Sequence, residues 1–391
     1  MRVLHVGKFF PPFAGGIENF MGDLLPALLA KGVDVTALVH SSSGQSVTGD
    51  NCFDESRVVR VPCYGSVLYA PVSPGFPVAF NRVLKKEKPD ILHLHVPNTS
   101  AFWAMLLPGA YTIPWIVHWH ADVVSSQLDR RLAAAYSLYR PVEQRLLSGA
   151  AAVISTSRRY GDSSLSLKKW QGKIRVIPLG LDPDRLPLPG QSDLEQAEKT
   201  WGGQGVMRVL SIGRLTYYKG HEVLIRAAAE MRNIRVVIVG EGDKRRDQEN
   251  LIEKLKIQDR VLLCGRLSET RLQALLAGSD CFCLPSVERT EAFGLVLLEA
   301  MRYGKPVIAG DIPGSGVGWV VRNGSTGCLF PVSSILDLVR LLRLYSAHPE
   351  KRRAMGEAGR QRFESIFRID RIAEKTIHLY NDVLSVGCPG S

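Results

Sequence analysis

Short apolar runs alternate with helical patterns along almost the whole chain, and this alternation constrains the fold more than any other feature. In the first half the runs fall at 2–6, 33–39, 57–61, 90–95, 113–118, 151–155 and 174–177. Each has strand length. Strands that alternate with helices are accommodated by a parallel sheet with right-handed crossovers, so a doubly wound α/β sheet is expected. The pattern stops at Val176-Ile177-Pro178-Leu179-Gly180-Leu181-Asp182-Pro183-Asp184, where proline and glycine end the last strand. It restarts after a polar stretch at 190–205, with strands at 207–211, 234–239, 261–264, 281–285 and 305–310, and helices fill the chain after residue 331. At 391 residues the chain is too long for one ordinary core, and two lobes are expected.

One stretch of the second lobe concentrates chemistry: Glu291-Ala292-Phe293-Gly294-Leu295-Val296-Leu297-Leu298-Glu299-Ala300-Met301. It follows the strand at 281–285 and continues to Tyr303 without proline and with good helix formers at most positions. Glu291 therefore puts a carboxylate just outside a helix start, beside the N–H groups of Phe293, Gly294 and Leu295, which together carry about half a positive charge. Gly294 lets an anion come close. Glu299 lies about two turns along, oblique to Glu291 but able to reach the same ligand. Two acids beside an anion-binding helix end suit a ligand with hydroxyls at both ends and phosphates between, such as a nucleotide-sugar. A simple helix-start charge and a solvated face would explain the same two acids without a ligand.

A second loop, Gly213-Arg214-Leu215-Thr216-Tyr217-Tyr218-Lys219-Gly220, places Arg214 and Lys219 together at a strand end. Two fixed cations there can stabilise a departing diphosphate where other enzymes use a metal. Between the first strand and a helix to about residue 30 lies Gly15-Gly16-Ile17-Glu18, a glycine turn of the kind at which open parallel sheets bind ligands. His93-x-His95 and His118-x-His120 each place two rings on one face of a strand end. Apart from Asp122 no further ligand type completes a site, and no metal is expected. The seven cysteines are odd in number and lack metal-type spacing, so buried thiols in a reducing cytosol are expected, Cys281 and Cys283 sharing one strand face. Asp182-x-Asp184 sits in the linker around Pro183 and reads as coincidence rather than a metal motif. No G-x-x-x-x-G-K-[ST] occurs, and Gly314-Ser315-Gly316-Val317-Gly318 is not a dinucleotide fingerprint and precedes no clear helix.

The net charge of +11 calls for anionic partners. Basic clusters are spread over both halves without a nucleic-acid module, so nucleic acid ranks below an anionic ligand or membrane surface. The stretch 67–80 is rich in proline and apolar residues, and 127–147 mixes Arg130, Arg131, Arg140 and Arg145 with leucine and tyrosine. Ordinary core-and-surface patterning explains both, as does a face that touches lipid or a lipid-linked acceptor. No secretory signal is read at the start, and no apolar run approaches the ~18 residues of a membrane span. The expectation is a cytoplasmic chain, peripheral at the inner face of the membrane, with disorder confined to 387–391.

Taken in order, these motifs resemble the retaining glycosyltransferases of family 4. Glu291 to Glu299 matches E-x-F-G-x-x-x-x-E, Gly213 to Gly220 matches G-R-x-x-x-x-K-G, Gly15 to Glu18 matches G-G-x-E, and Trp119-His120-Ala121-Asp122 matches an H-x-D segment. The resemblance implies the GT-B fold: two Rossmann-like, doubly wound domains facing a cleft. These would be an acceptor-binding domain at 1–182, a donor-binding domain at 183–367, and a C-terminal helix within 368–391 that crosses back. It implies that Arg214 and Lys219 stabilise the leaving diphosphate, that Glu291 holds donor-sugar hydroxyls and Glu299 the ribose. Phe293, Gly294 and Leu295 would line the donor, and Leu267 would lie near the base. His120 would set donor-sugar geometry, Gly16 would touch donor phosphate and acceptor, Gly15 the acceptor, and Asp122 the His120 ring or the acceptor. Neither metal nor other cofactor is implied. The segments 286–294 and 217–220 are similar to bacterial surface-polysaccharide enzymes, some using GDP-mannose or GDP-rhamnose, so GDP is the expected base with UDP as the alternative. The acceptor would be a hydroxyl on a glycan or lipid-linked glycan. A non-catalytic two-lobe binding protein is the competing reading, and an NAD-type oxidoreductase is disfavoured because no G-x-G-x-x-G follows the first strand.

Overall fold

The computed structural model describes residues 1–13, 15–41, 54–67, 70–123, 130–202 and 205–385, with the backbone alone at 130–135. The chain divides into two compact units, Met1–Leu181 with Ile369–Ser391, and Asp182–Arg368.

The first unit runs β1 (Arg2–Val6), α1 (Gly16–Ala30), β2 (Asp34–Ser41), β3 (Val58–Pro62), β4 (Ser66–Val67), β5 (Ala70–Pro71), α2 (Phe76–Glu87), β6 (Ile91–Val96), β7 (Trp115–Trp119), α3 (Arg130–Gly149), β8 (Ala152–Ser155), α4 (Arg158–Ser163) and β9 (Ile174–Val176). Seven strands form one parallel sheet in the order β3-β2-β1-β6-β7-β8-β9, while β4 and β5 pair antiparallel on their own. All six residues of β6 are buried, as expected of a strand near the middle of a parallel sheet with both faces covered. Helix α2 starts with a proline in its first turn and ends on Lys85 and Lys86, where cations meet the negative end of the helix dipole. Lys85 and Lys86 therefore have a local structural role.

The second unit runs α5 (Gln191–Trp201), β10 (Met207–Ile212), α6 (His221–Ala229), β11 (Ile234–Val239), α7 (Arg245–Lys254), β12 (Val261–Leu263), α8 (Glu269–Gly278), β13 (Cys281–Leu284), α9 (Leu295–Arg302), β14 (Val307–Asp311), α10 (Val317–Val320), β15 (Gly327–Pro331), α11 (Ile335–Ala347) and α12 (Pro349–Arg362). Its six strands are all parallel, in the order β12-β11-β10-β13-β14-β15, so the direction of winding reverses between β10 and β13. Ile225 and Leu224 of α6 pack with Val236 and Ile238 of β11 and with Leu338 and Leu342 of α11 in one buried cluster.

Three elements differ from the sequence reading. The polar stretch after the linker holds α5, whose only buried residues, Ala197 and Trp201, lie four apart on one face. Between the last expected strand, at 305–310, and the helices after residue 331 lies β15, which extends the sheet beyond β14. A short helix, α10, does follow the glycine-rich turn at 314–318.

After α12, a π-helical turn at Phe363–Phe367 leads into α13 (Ile369–Ser385), which returns to the first unit and packs on α1. The Ile369 N–H donates to the Leu181 carbonyl at 3.1 Å, and Lys31 pairs with Glu374 at 2.7 Å. The expected C-terminal crossing is thus present. Asp182 Oδ1 accepts the Asp184 N–H at 3.0 Å and caps a 3-10 turn, so the Asp182 carboxylate of Asp182-x-Asp184 has a local structural role. Cys63, Cys281, Cys283 and Cys328 are buried free thiols and Cys264 is a half-buried one. Cys52, Cys388, the tail 387–391, part of the stretches 67–80 and 127–147 and the side chains of Arg130 and Arg131 lie outside the described residues. Among the described residues no helix is long and apolar enough to cross a membrane.

Candidate functional site

In an open parallel sheet, the loops leaving the carboxyl ends of two strands diverge where the winding reverses, and ligands bind in the crevice between them. In the second unit those strands are β10 and β13, and their two loops carry Lys219 and Glu291.

The first loop closes with a 3-10 turn at Tyr217–Lys219 and enters α6. Lys219 Nζ donates to Glu291 Oε2 at 2.6 Å, and Ser286 Oγ donates to the same oxygen at 3.0 Å. The two charged side chains are only 13% and 10% exposed, so little water screens the pair. Burial alone would lower the Lys219 ammonium, but the Glu291 carboxylate and the neighbouring Tyr218 outweigh it and the net shift is upward. The ammonium also lies 5.6 Å from the centre of the Tyr218 ring. Arg214 is exposed, and its charge opposes that of Lys219. Among the described residues Arg214 takes part in no ion pair. Next to Lys219, burial pushes His221 down to about 3, assisted by the Lys219 charge, so this ring is neutral at physiological pH.

The second loop reaches α9 through Gly294, whose φ of 78° and ψ of 61° lie in the left-handed region. A Cβ there would come within 2.8 Å of Leu297 Cδ1 and 3.0 Å of Leu284 Cδ2, so both backbone and space require glycine. The helix begins at Leu295, not at Phe293. Phe293 is buried, with its ring 6.2 Å from Trp319 and 6.1 Å from Phe367, and acts as a packing anchor for the loop. From the other side the turn at 314–318 fixes the loop backbone. Ser315 Oγ donates to the Glu291 carbonyl at 2.5 Å, and the Gly316 N–H donates to the Ala292 carbonyl at 2.8 Å. Glu299 is buried on α9, with Oε1 3.9 Å from Arg185 Nη2 of the turn after the linker. One helical turn on, burial pushes the Tyr303 hydroxyl up to about 12, Arg302 opposing and Glu299 adding to the rise. Leu267 is half-buried in the loop after β12, which is tied to the end of β11 by the Gly240 N–H donating to the Gly265 carbonyl at 2.9 Å.

In the first unit, Gly15 is the N-cap of α1 and Gly16 its first residue. A Cβ on Gly15 would meet Glu18 Oε2 at 2.1 Å, so the glycine leaves room for the Glu18 carboxylate beside the helix start. His120 directly follows β7, and its Nε2 lies 2.9 Å from His95 Nδ1, so another histidine holds the ring. Asp122 Oδ1 accepts from Trp119 Nε1 at 2.8 Å and from Ser164 Oγ at 2.7 Å, while its N–H donates to the Tyr160 hydroxyl at 2.6 Å. These bonds join the end of β7 to the segment around α4. Both histidine pairs come together with His5 in one buried cluster.

Two family models match the chain, "Glycosyl transferase 4-like domain" over residues 15–180 and "Glycosyl transferases group 1" over residues 202–362. Among curated proteins, the O-antigen chain mannosyltransferase C of Escherichia coli is 30% identical over 391 residues, covering 98% of this chain and 99% of that protein. The chain belongs to the group 1 glycosyl transferases. The D-rhamnosyltransferase WbpZ of Pseudomonas aeruginosa is 29% identical to it over 376 residues, covering 94% and 92% of the two chains. In structure this glycosyltransferase is similar to a sucrose-phosphate synthase from Thermosynechococcus elongatus, with a TM-score of 0.80, 23% identity and coverage of 99% and 100%. The two parallel sheets and the returning helix are those of the GT-B fold. Sequence reasoning did not find Ser286, Ser315, Arg185 or His221 of the glycosyltransferase. Ser315 lies in the glycine-rich turn at 314–318, whose spacing departs from a dinucleotide fingerprint and carries no other signal. Arg185 gave no local signal, because its partner Glu299 is more than a hundred residues away.

Proposed function

We propose that the second unit binds a nucleoside-diphosphate hexose and that the enzyme transfers the hexose, with retention, to a glycan or lipid-linked hydroxyl in cell-surface polysaccharide synthesis. The observation that carries the reading is the buried Lys219–Glu291 pair, at 2.6 Å, beside the exposed Arg214 at the winding reversal of the sheet. Lys219 keeps N–H groups beyond the one given to Glu291, and Arg214 has five N–H donors with no carboxylate engaged among the described residues. Both suit the oxygens of a diphosphate, which gain charge as the glycosidic bond breaks. Glu291, fixed through its main chain by Ser315 and through its side chain by Lys219 and Ser286, presents a carboxylate to sugar hydroxyls. The ribose falls to Glu299 and the base to the backbone near Leu267. Phe293, Gly294 and Leu295 shape the turn into which the donor fits.

In the displacement proposed, the acceptor oxygen bonds to the anomeric carbon on the face from which the diphosphate departs. The carbon–oxygen bond to phosphate breaks, and the acceptor proton passes to a departing phosphate oxygen. Neither a carboxylate nucleophile nor a metal is needed for that sequence. His120 is assigned to donor-sugar geometry, Gly15 and Gly16 to acceptor and donor phosphate, and Asp122 to the acceptor side. The similarity of segments 217–220 and 286–294 to bacterial surface-polysaccharide enzymes, some of which use GDP-sugars, supports a GDP-linked sugar over a UDP-linked one. The net charge of +11 supports peripheral contact with an anionic membrane.

The decisive experiment measures nucleoside diphosphate released from GDP- and UDP-sugars, with and without a polyprenyl-linked glycan. Acceptor-dependent release is expected. Binding without release with every acceptor would favour a binding protein instead. A charge-assisted hydrogen bond contributes roughly 1.5–3 kcal/mol, so Glu299→Ala should weaken nucleotide binding about ten- to a hundredfold in calorimetry. Unchanged affinity would remove Glu299 from the donor site.

A further inference from the structure

His5, His93, His95, His118 and His120 are all buried in the first unit. The strand register pairs His5 with His93 and His95 with His118, and residues two apart on a strand share a face, so all five rings lie on one side of the sheet. Each hydrogen bond steps two residues beyond the register partner. His5 Nδ1 is 3.0 Å from His95 Nε2, His95 Nδ1 is 2.9 Å from His120 Nε2, and His93 Nε2 is 3.1 Å from His118 Nδ1. The Tyr380 hydroxyl of α13 joins the two lines, at 2.6 Å from His93 Nδ1 and 3.3 Å from His5 Nε2.

The six groups thus form one unbranched chain: His120, His95, His5, Tyr380, His93, His118. Its two ends, His120 Nδ1 and His118 Nε2, are buried and have no hydrogen-bond partner among the described residues. The end rings are stacked, with centroids 4.1 Å apart and planes 9° from parallel, and Phe20 lies edge-type against both, its ring centre 5.3 Å from His118 and 5.8 Å from His120.

Two triplets, His5 with His93 and His95 and His95 with His118 and His120, are close enough to suggest a metal. The ring geometry argues against it. In the three bonded pairs the centroids are 5.2 to 5.3 Å apart and the planes within 33° of each other, which is imidazoles set end to end. Eight of the ten ring nitrogens face a neighbouring ring nitrogen or the Tyr380 hydroxyl, not a common point about 2.0–2.1 Å away where an ion would sit. Burial pushes all five rings below their ordinary range, with His95 at about 3, and pushes the Tyr380 hydroxyl up, so every member is neutral at physiological pH.

A neutral imidazole has one N–H and one lone pair, so fixing the proton on one ring fixes it on the next. Tyr380 has one proton and passes the constraint from one line to the other by donating to one histidine and accepting from the other. Only two arrangements satisfy every link: all five rings protonated on Nε2, or all five on Nδ1. Conversion of the first into the second takes up one proton at His120 Nδ1, shifts one proton along each link and releases one at His118 Nε2, leaving no charge behind.

We propose that Tyr380, His5, His95 and His93 are positioning residues that set the tautomer of His120, and thereby decide whether His120 Nδ1 offers a proton or a lone pair. The consequence for turnover rests on the assignment of His120 to the donor sugar; the tautomer coupling does not.

The test is nitrogen-15 NMR of the full-length protein labelled at histidine, which distinguishes Nδ1–H from Nε2–H in each ring. In the wild type the five rings should be neutral and share one tautomer. In Tyr380→Phe the His5, His95 and His120 set should no longer share the tautomer of the His93 and His118 set, and kcat should fall about tenfold with the donor KM unchanged. Mixed tautomers or an imidazolium among the five in the wild type, or one shared tautomer kept in Tyr380→Phe, would overturn the coupling. So would an equimolar shift of all five rings on adding Zn²⁺, which would identify a metal site. An unaltered kcat in Tyr380→Phe would overturn the positioning role alone. A wild type without donor turnover would count against the proposed function and leave the tautomer result standing.

Discussion

Lys219 and Glu291 neutralise each other where water screens them poorly, so removing one leaves the other in a worse state than removing both. Lys219→Met should destabilise the protein by about 3 kcal/mol, while Lys219→Met combined with Glu291→Met should restore most of that loss, as measured by denaturant unfolding. Sugar transfer should be lost in both. Full additivity of the two single changes would show that the pair is not coupled. A second residue-scale prediction concerns Glu143 of α3, whose carboxyl burial raises to about 7, with Ser166, Gln144 and Arg140 opposing and Asp122 adding to the rise. Because its folded value is raised, the native state favours the protonated form. Its stabilising contribution is complete below the ordinary carboxyl range near 4.5 and is lost as pH rises through about 7. Glu143→Gln should therefore gain stability relative to wild type between pH 5 and pH 8, by on the order of 2 kcal/mol. A pH-independent difference between the two proteins would show that Glu143 does not titrate in this range.

At the scale of elements, α9 depends on a single backbone conformation. Gly294→Ala places a side chain at a φ of 78° and against Leu297 and Leu284, so a loss of about 1–3 kcal/mol is expected, along with weaker nucleotide binding. Thermal unfolding unchanged within a degree would contradict it. This helix also shows what the sequence could and could not convey. Its apolar pattern announced a helix, but a left-handed Gly294 shortens it at the front, and that conformation has no signature beyond glycine itself. The strands were legible because buried parallel strands are runs of apolar residues, as in Ile234–Val239. Strand β15 was not, because Gly327 and Pro331 bound a run of only three other residues. Helix α5 stayed hidden because two buried side chains suffice to dock it. For the site, Arg214, Lys219 and Glu291 were legible as a motif, whereas the direct bond from Lys219 to Glu291 spans 72 residues and leaves no trace in spacing. The histidine chain was half legible. Two-residue spacing placed His93 with His95 and His118 with His120, but only the strand order β1-β6-β7 adds His5, and only the returning helix adds Tyr380.

For the whole molecule, each unit has its own sheet, and a ligand held by one of them should report on that one. A nucleoside diphosphate at about 100 times its dissociation constant adds about 2.7 kcal/mol to the unit that binds it. Hydrogen exchange with saturating GDP or UDP should therefore slow amides around β10, β13 and α9, and the nucleotide giving the greater protection names the base. Protection confined to the β1 and β6 region would move the donor site to the first unit.

The bond from the Ile369 N–H to the Leu181 carbonyl means that the backbone leaves the first unit and rejoins it at a single point. The second unit is in effect a cassette inserted between two neighbouring positions. A gene in which codons 182–368 are replaced by a short glycine-serine bridge would still supply every strand of the seven-stranded sheet and its closing helix. On the ribosome residues 182–368 are made before α13, so His5 and His93 meet the Tyr380 hydroxyl only after the whole second unit has been synthesised.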